Sequence, residues 1–402
     1  MQISKAQLKN RVQKNIKKGY IFNFISGINL THGLWMIYLA YKGLSLIEIG
    51  LLESIFHITS FAMEIPTGSI ADLFGRKVSR ILGRAVSLVG LLLLIYSNNF
   101  SLFALSFIFS ALSYNLESGA GEALIYDSLK YIGKENNFIK FSGISEALLQ
   151  FASIISFLLG GFIGKSSYST AFFISAGITL FTFSFSFSFT EPPIKKNEES
   201  GGMIKKFYYQ IVNSFKFIFK EKAVGFLILL IQVFSSFSTC TFFYLQNYWK
   251  FSGKNEFEIG IFLSAASLIA GIISLFIPKI EKKIYGKRLL MLIVFSMTLC
   301  IWGIALFDFK LPFFIANTAL ESILFVSGSK YINNLIPSKY RATIISVGSM
   351  MFSFSMIAIF PIFGYIADVL SFFAAFISLA VTSSVLFLFF SLSKGKNKLN
   401  DC

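Results

Sequence analysis

Glu64-Ile-Pro66-Thr-Gly68-Ser-Ile-Ala-Asp72-Leu-Phe-Gly75-Arg76-Lys77-Val-Ser-Arg80 joins two long apolar runs, 46–71 and 79–97. The junction sets Asp72 beside Arg76, Lys77 and Arg80. Gly68, inside the first run, lets a neighbouring helix approach closely. Gly75 permits a tight turn between the runs. A carboxylate among three cations can form ion pairs with neighbouring helix ends and release them when packed helices rock. The plainer reading is a positive loop that happens to contain one Asp.

Apolar runs long enough for the bilayer core, about 20 residues each, fall at 20–41, 46–71, 79–97, 100–128, 140–164 and 167–190. Six more follow at 223–249, 256–280, 286–307, 311–335, 340–367 and 369–392. The chain of 402 residues is 55% hydrophobic and only 14% charged, which is too little polar surface to cover a soluble core and too much apolar surface for disorder. The net charge of +16 sits in short segments between the runs and does not form a nucleic-acid-binding face. With the N-terminus inside, 31 of the 36 Lys and Arg fall in inner segments, and Lys42, Lys165, Lys250, Lys254 and Lys310 lie outside. That asymmetry orients the chain in a cell (inner) membrane with both termini cytoplasmic. The basic N-terminus leads into an apolar run too long for a signal-peptide core, so it reads as a retained first helix. Cys240, Cys300 and Cys402 suggest neither a disulfide framework nor a zinc site.

The inner segment 191–222 divides the runs into two sets of six. It opens with Glu191-Pro192-Pro193, which ends the sixth helix. Beyond Gly201-Gly202, Ile204, Phe207, Tyr208, Ile211, Phe215 and Phe219 recur at helical spacing among lysines. They read as an amphipathic helix on the inner leaflet, or else as a plain polar linker. The halves also repeat. Glu48-Ile-Gly50-Leu opens the second helix and Glu258-Ile-Gly260-Ile the eighth; Gly75-Arg76-Lys77 answers Gly286-Lys287-Arg288; Lys140 and Ser145 answer Arg341 and Ser346; Gly164 answers Gly364. Matches at similar offsets in corresponding helices point to an internal duplication, a transporter architecture.

Gly68, Asp72, Gly75, Arg76 and Lys77 fill every fixed position of Gly-x-x-x-Asp-x-x-Gly-Arg-Lys. The chain therefore resembles the major facilitator superfamily, in its drug-efflux, drug:proton antiporter-like branch. Glu64-x-Pro66 is similar to the version found in clostridial-type tetracycline-efflux proteins. The resemblance implies an all-α polytopic membrane protein of 12 transmembrane helices in two six-helix pseudo-repeats. It would comprise an N-terminal bundle (1–190), a cytoplasmic central loop (191–222), a C-terminal bundle (223–392) and a cytoplasmic tail (393–402). It implies alternating access around a cavity lined by the first, fourth, seventh and tenth helices. Two positions depart from the antiporter pattern. The helix-four Arg ahead of Gly119-Ala-Gly121 is Asn115, and Ser156-Phe157 stand where Gly-Pro would precede Gly160-Gly161. Both departures put antiport in doubt without removing it.

Ionisable residues inside membrane helices are costly and therefore functional candidates. In the second run Glu53, His57 and Glu64 share one helical face and form a candidate proton relay. Alternatively, Glu53 sits at the outer interface and His57 serves only a neighbour. Glu117 and Glu122 in the fourth run and Glu321 in the tenth are the leading proton or cation binders. Asp127 is expected to pair with the basic loops, and Glu146 to form a structural ion pair. Asn29, His32, Trp35, Tyr38, Tyr114, Gln232, Ser236, Thr239 and Asn317 are candidates for a mostly apolar, aromatic substrate cavity. No His-Glu-x-x-His, Cys-x-x-Cys or phosphate loop occurs, so the expectation is a transporter without cofactors, coupled to H+ and not to ATP. The expected partners are a small-molecule substrate and the lipid bilayer, with no nucleic acid, and the expected state is a monomer. Export of a hydrophobic or amphipathic drug-like compound is the leading reading; uptake of a nutrient or metabolite is the alternative.

Overall fold

The structure is a computed structural model and describes residues 4–193, 212, 216, 222–336 and 341–392. The amphipathic helix expected in the central loop and the tail lie outside these residues. Every regular element described is a helix. This follows from the solvent, because in hydrocarbon each backbone N–H and C=O must be satisfied within its own segment.

The first half comprises α1 (Lys5–Gly27), α2 (Trp35–Tyr41), α3 (Leu46–Phe74), α4 (Arg76–Tyr96), α5 (Phe100–Tyr131), α6 (Phe138–Gly164) and α7 (Tyr168–Ser186). The second comprises α8 (Lys222–Phe251), α9 (Glu256–Ser274), the short α10 (Ile277–Lys283), α11 (Gly286–Leu306), α12 (Leu311–Leu335), α13 (Arg341–Val369) and α14 (Phe372–Leu392). Eleven helices among the described residues are long and apolar enough to cross a membrane.

The run at 20–41 does not form one continuous helix. It is helical to Gly27 and again from Trp35, with an irregular segment between. The local sequence explains the break. Asn29 Oδ1 accepts from the Thr31 backbone N–H (3.1 Å) and from Thr31 Oγ1 (2.6 Å), so a side chain replaces the helical ladder. Gly27 and Gly33 flank it and hold the backbone only weakly in helix. Pro66 lies inside α3, and Thr67 Oγ1 donates to the Met63 and Glu64 carbonyls at 2.7 and 3.1 Å in the turn it disturbs.

Packing divides the chain into two compact units. One contains Met1–Trp35, Ile58–Met203 and Glu256–Gly260; the other contains Met36–His57, Ile204–Asn255 and Ile261–Cys402. The internal repeat is visible inside each unit. In the second, a Cβ on Gly50 would lie 2.8 Å from the Phe360 carbonyl and 2.7 Å from Pro361 Cα. In the first, Gly260, the repeat mate of Gly50, lies against the Phe157 carbonyl. Glycine at both positions allows two helix backbones to touch.

Candidate functional site

The charged loop between α3 and α4 is assembled differently from the sequence expectation. Asp72 pairs with Arg76 one turn on, Oδ1 to Nη1 at 2.8 Å, and Asp72 is exposed. Among the described residues no helix approaches closely at Gly68, since nothing lies within 4 Å of a Cβ built there. Gly75 has φ +105° and faces the Glu191 carboxylate. Glu191 accepts from the backbone N–H groups of Arg76 (2.8 Å) and Lys77 (2.7 Å), placing a carboxylate on the positive end of α4. Lys77 itself is half-buried.

One turn further along α4, Arg80 is 2% exposed and stacked between Phe22 and Phe189, 4.3 and 4.7 Å from their ring centres. Its Nε stands 3.6 Å from Glu117 on α5, and Arg84 Nε reaches the same carboxylate at 2.5 Å. Glu117 is therefore held by two guanidinium groups, a brace between α4 and α5. Of the two glycines beside it, Gly121 makes room for Arg80, and Gly119 borders open space instead of a packed helix. Glu122 is exposed and makes no hydrogen bond or ion pair among the described residues. Glu64 stands near the phenol of Tyr114, itself exposed. Asp127 lies among Arg76, Lys130 and Glu191, as a charge facing the basic loops should. Glu146 accepts from Gln150 Nε2 at 2.9 Å and has no ion pair among the described residues, contrary to expectation.

The break between α1 and α2 is held from α6 and α7. The backbone N–H of Asn29 donates to Ser156 Oγ (2.9 Å) and that of Leu30 to Ser175 Oγ (3.1 Å). Gly160 is the floor, where a Cβ would come within 2.5 Å of the Leu30 carbonyl. The side chains of Asn29 and His32 are left exposed, with His32 against Phe157 at 5.5 Å. Trp35 meets the edge of Phe107 at 5.6 Å. Tyr38 is buried in the second unit, with Lys42 over its ring at 5.6 Å.

In the second unit the polar residues of α8 separate into two kinds. Ser236 is fully buried and donates to the Val233 carbonyl of its own helix (2.7 Å). Thr239 donates to the Ser235 carbonyl (2.9 Å), and Gln232 lies against Gly348 of α13. Ser238 points across to α12, where Asn317 Nδ2 donates to its Oγ (2.7 Å) and Glu321 shares the same hydroxyl. Asn317 and Ser235 are buried, and Asn317 Oδ1 and Ser235 Oγ have no hydrogen-bond partner among the described residues. Glu321 has no cationic partner among them either. On α3, His57 Nε2 faces Glu53 Oε1 at 3.4 Å and Nδ1 faces Ser353 Oγ at 3.2 Å. The expected pair of Glu53 and His57 thus meets, while Glu64 stands with Tyr114 instead.

Residues 19–320 match the Major Facilitator Superfamily. The chain belongs to this family. It is accordingly a multi-pass membrane transporter of the secondary type and not an enzyme. It is 24% identical over 373 residues to the uncharacterized MFS-type transporter YxaM of Bacillus subtilis, covering 90% of this chain and 92% of that protein. It is 25% identical over 181 residues to the quinolone resistance protein NorA of Staphylococcus aureus, a match spanning 45% of each chain. Among solved structures, a nucleoside transporter NupG mutant superposes with a TM-score of 0.77 at 15% identity, covering 96% of this chain and 99% of the other. A D-xylose-proton symporter superposes with 0.71 at 12%, covering 94% and 96%.

The departures from the family's antiporter pattern have local roles in this structure. Ser156 receives the N–H that the broken first helix cannot use, and Phe157 covers His32. Asn115 exchanges two hydrogen bonds with Ser60, at 2.7 and 2.6 Å, while a guanidinium reaches α5 from α4 through Arg84. Ser238 and Ser353 were not singled out by the sequence, and Glu191 and Ser156 stood there only as a helix end and as a departure from the family pattern, without these bonding roles. Only the Gly27-x-Asn29-x-Thr31-x-Gly33 pattern carried a readable signal, as a loop-type cluster inside an apolar run.

Proposed function

We propose that this transporter exports a hydrophobic or amphipathic drug-like compound, with tetracycline as one candidate, in exchange for protons entering the cell. In this reading H+ is the coupling ion, no cofactor is used, and the protein is a monomer in the cell membrane with both termini cytoplasmic. Glu321 carries the reading. A carboxylate inside the membrane with hydroxyl and amide neighbours and no cation partner is suited to exchange a proton as its surroundings gain or lose water. Glu117, held by Arg80 and Arg84, is suited to bracing, which leaves Glu321 and the Glu53–His57 pair for coupling. The partial similarity to the quinolone resistance protein favours export.

A second reading, uptake of a polar nutrient or metabolite, is favoured by α8. Gln246 and Asn247 are buried there, and Gln246 Oε1 and both side-chain polar atoms of Asn247 have no partner among the described residues. Such groups suit a ligand rich in hydroxyl or amide groups. The deciding experiment is transport into inverted vesicles with a compound panel, with and without a protonophore. Protonophore-sensitive accumulation of an amphipathic compound, lost in Glu321→Gln, is expected. Accumulation that ignores the protonophore refutes proton-driven export.

A further inference from the structure

The outer half of α3 runs beside α13 in the second unit, and each successive turn has its own contact. At the outer end the Asp368 carboxylate accepts from the backbone N–H groups of Leu46 (3.1 Å) and Ile47 (2.8 Å), at the positive end of α3. One turn on, Gly50 touches the backbone of Phe360 and Pro361. Ser54 Oγ then donates to the Ile357 carbonyl at 3.0 Å. The last contact is His57 Nδ1 to Ser353 Oγ at 3.2 Å. Only this one is made by an imidazole, the side chain whose charge changes between about pH 5 and 8.

The other face of His57 is unfinished. Nε2 is 3.4 Å from Glu53 Oε1, within ion-pair range, and has no hydrogen-bond partner among the described residues. His57 is 6% exposed, with Phe56 and Phe352 edge-on at 5.3 and 5.7 Å. On α8, Tyr244 faces Glu53, with Cys240 and Asp368 also around it. These acidic groups are the other titratable groups around the pair. No Lys or Arg among the described residues pairs with Glu53.

We propose that Glu53, His57 and Ser353 form a proton-binding site that closes the seam between α3 and α13 when loaded. A proton leaves water at the outer side and bonds to the free imidazole nitrogen. Both ring nitrogens then donate, one to Ser353 and one to Glu53, as a charge-assisted hydrogen bond. Glu53 gains its missing cation and no longer needs water, so the seam stays dry and shut. When the proton leaves, the half-buried Glu53 carboxylate stands without a cation, and hydrating it fully favours separation of the two helices. The proposal rests on the proton-coupled reading and its orientation, and it deepens that reading: the outer seam closes for the return step only after a proton from outside has bound.

The test uses the full chain in lipid nanodiscs, with Cys240, Cys300 and Cys402 changed to Ser. Nitroxides are attached at Tyr41→Cys and Leu370→Cys, two exposed residues flanking the outer end of the seam. Electron–electron distances are measured without substrate from about pH 8.5 to about pH 5.5, the range over which imidazole titrates. The ratio of short to long distances is expected to rise on acidification, by up to about tenfold per pH unit for one linked proton. His57→Gln and Glu53→Gln should each abolish the response. Ser353→Ala keeps the Glu53–His57 pair, so it should keep the response and lower the short-distance fraction throughout. A response that survives in both Gln variants overturns the proposal, as does a parent protein whose distances ignore pH. Should the Gln variants fail to fold, Ser353→Ala decides, and an unchanged short-distance fraction there overturns the proposal. Because no transport is measured, failure of export in vesicles with an intact distance response would refute export and leave this site standing.

Discussion

Gly50→Ala and Gly68→Ala make the same chemical change in the same helix and should have opposite consequences. At Gly50 the added methyl meets the Phe360 carbonyl at 2.8 Å and Pro361 Cα at 2.7 Å, both backbone atoms of α13 that cannot rotate away. At Gly68 it meets nothing within 4 Å. Overpacking of this kind costs about 1–3 kcal/mol. Replacing a helix-interior glycine by alanine returns about 0.5–1 kcal/mol at either site. That gain is present whether the seam is open or closed and cancels from their ratio, so the penalty on the closed seam at Gly50 is about 1–3 kcal/mol, and with about 1.4 kcal/mol per tenfold the ratio of closed to open seam falls about 5- to 140-fold. Ser54→Cys supplies the readout, since Ser54 is 5% exposed and sits one turn from Gly50 in the same seam. Its labelling rate by a membrane-impermeant maleimide should rise about 5- to 140-fold with Gly50→Ala, following that population change, and stay level with Gly68→Ala. Equal rates in the two variants would refute the argument that backbone contact at Gly50 holds the seam.

Three further outcomes follow from the same geometry. Asp72→Asn removes an exposed ion pair worth about 0.3–0.5 kcal/mol, so stability and membrane insertion should hardly change while transport falls; full transport at normal expression would refute a switching role. Glu117→Gln leaves Arg80 buried beside a neutral partner and should cost about 3–5 kcal/mol in detergent unfolding; the double variant Arg80→Met, Glu117→Met should recover part of this, and strictly additive losses would exclude the brace. Lys310, between α11 and α12, donates to the Ile304 (2.6 Å) and Phe307 (3.0 Å) carbonyls at the end of α11 and is pushed below its usual pKa of 10.5 by burial, with Asp308 opposing. Below that value the unfolded chain holds the extra proton, so stability should rise as pH climbs toward 10.5, and Lys310→Met should flatten that slope in thermal unfolding scans.

The apolar runs, the charged loop and the repeat were legible in the chain because length, charge and glycine spacing are one-dimensional properties. So was the meeting of Glu53 and His57, because four residues along a helix place two side chains on one face whatever surrounds them. The partners of Glu117, Glu321 and Glu191 were not legible, and the break at Asn29 showed in the chain only as a loop-type cluster of Gly27, Asn29, Thr31 and Gly33, without the groups that hold it. In a soluble protein an apolar stripe shows which side of a helix faces the core. Here the lipid-facing and core-facing sides are both apolar, so the sequence specifies that α5 and α12 exist without specifying their rotation. Tertiary packing supplies that rotation, turning Glu117 toward Arg80 and Arg84 and turning Glu321 toward Ser238. The break in the first helix depends on hydroxyl groups more than a hundred residues away, on Ser156 and Ser175, which only the folded chain brings to the N–H groups that Asn29 and Leu30 leave unpaired.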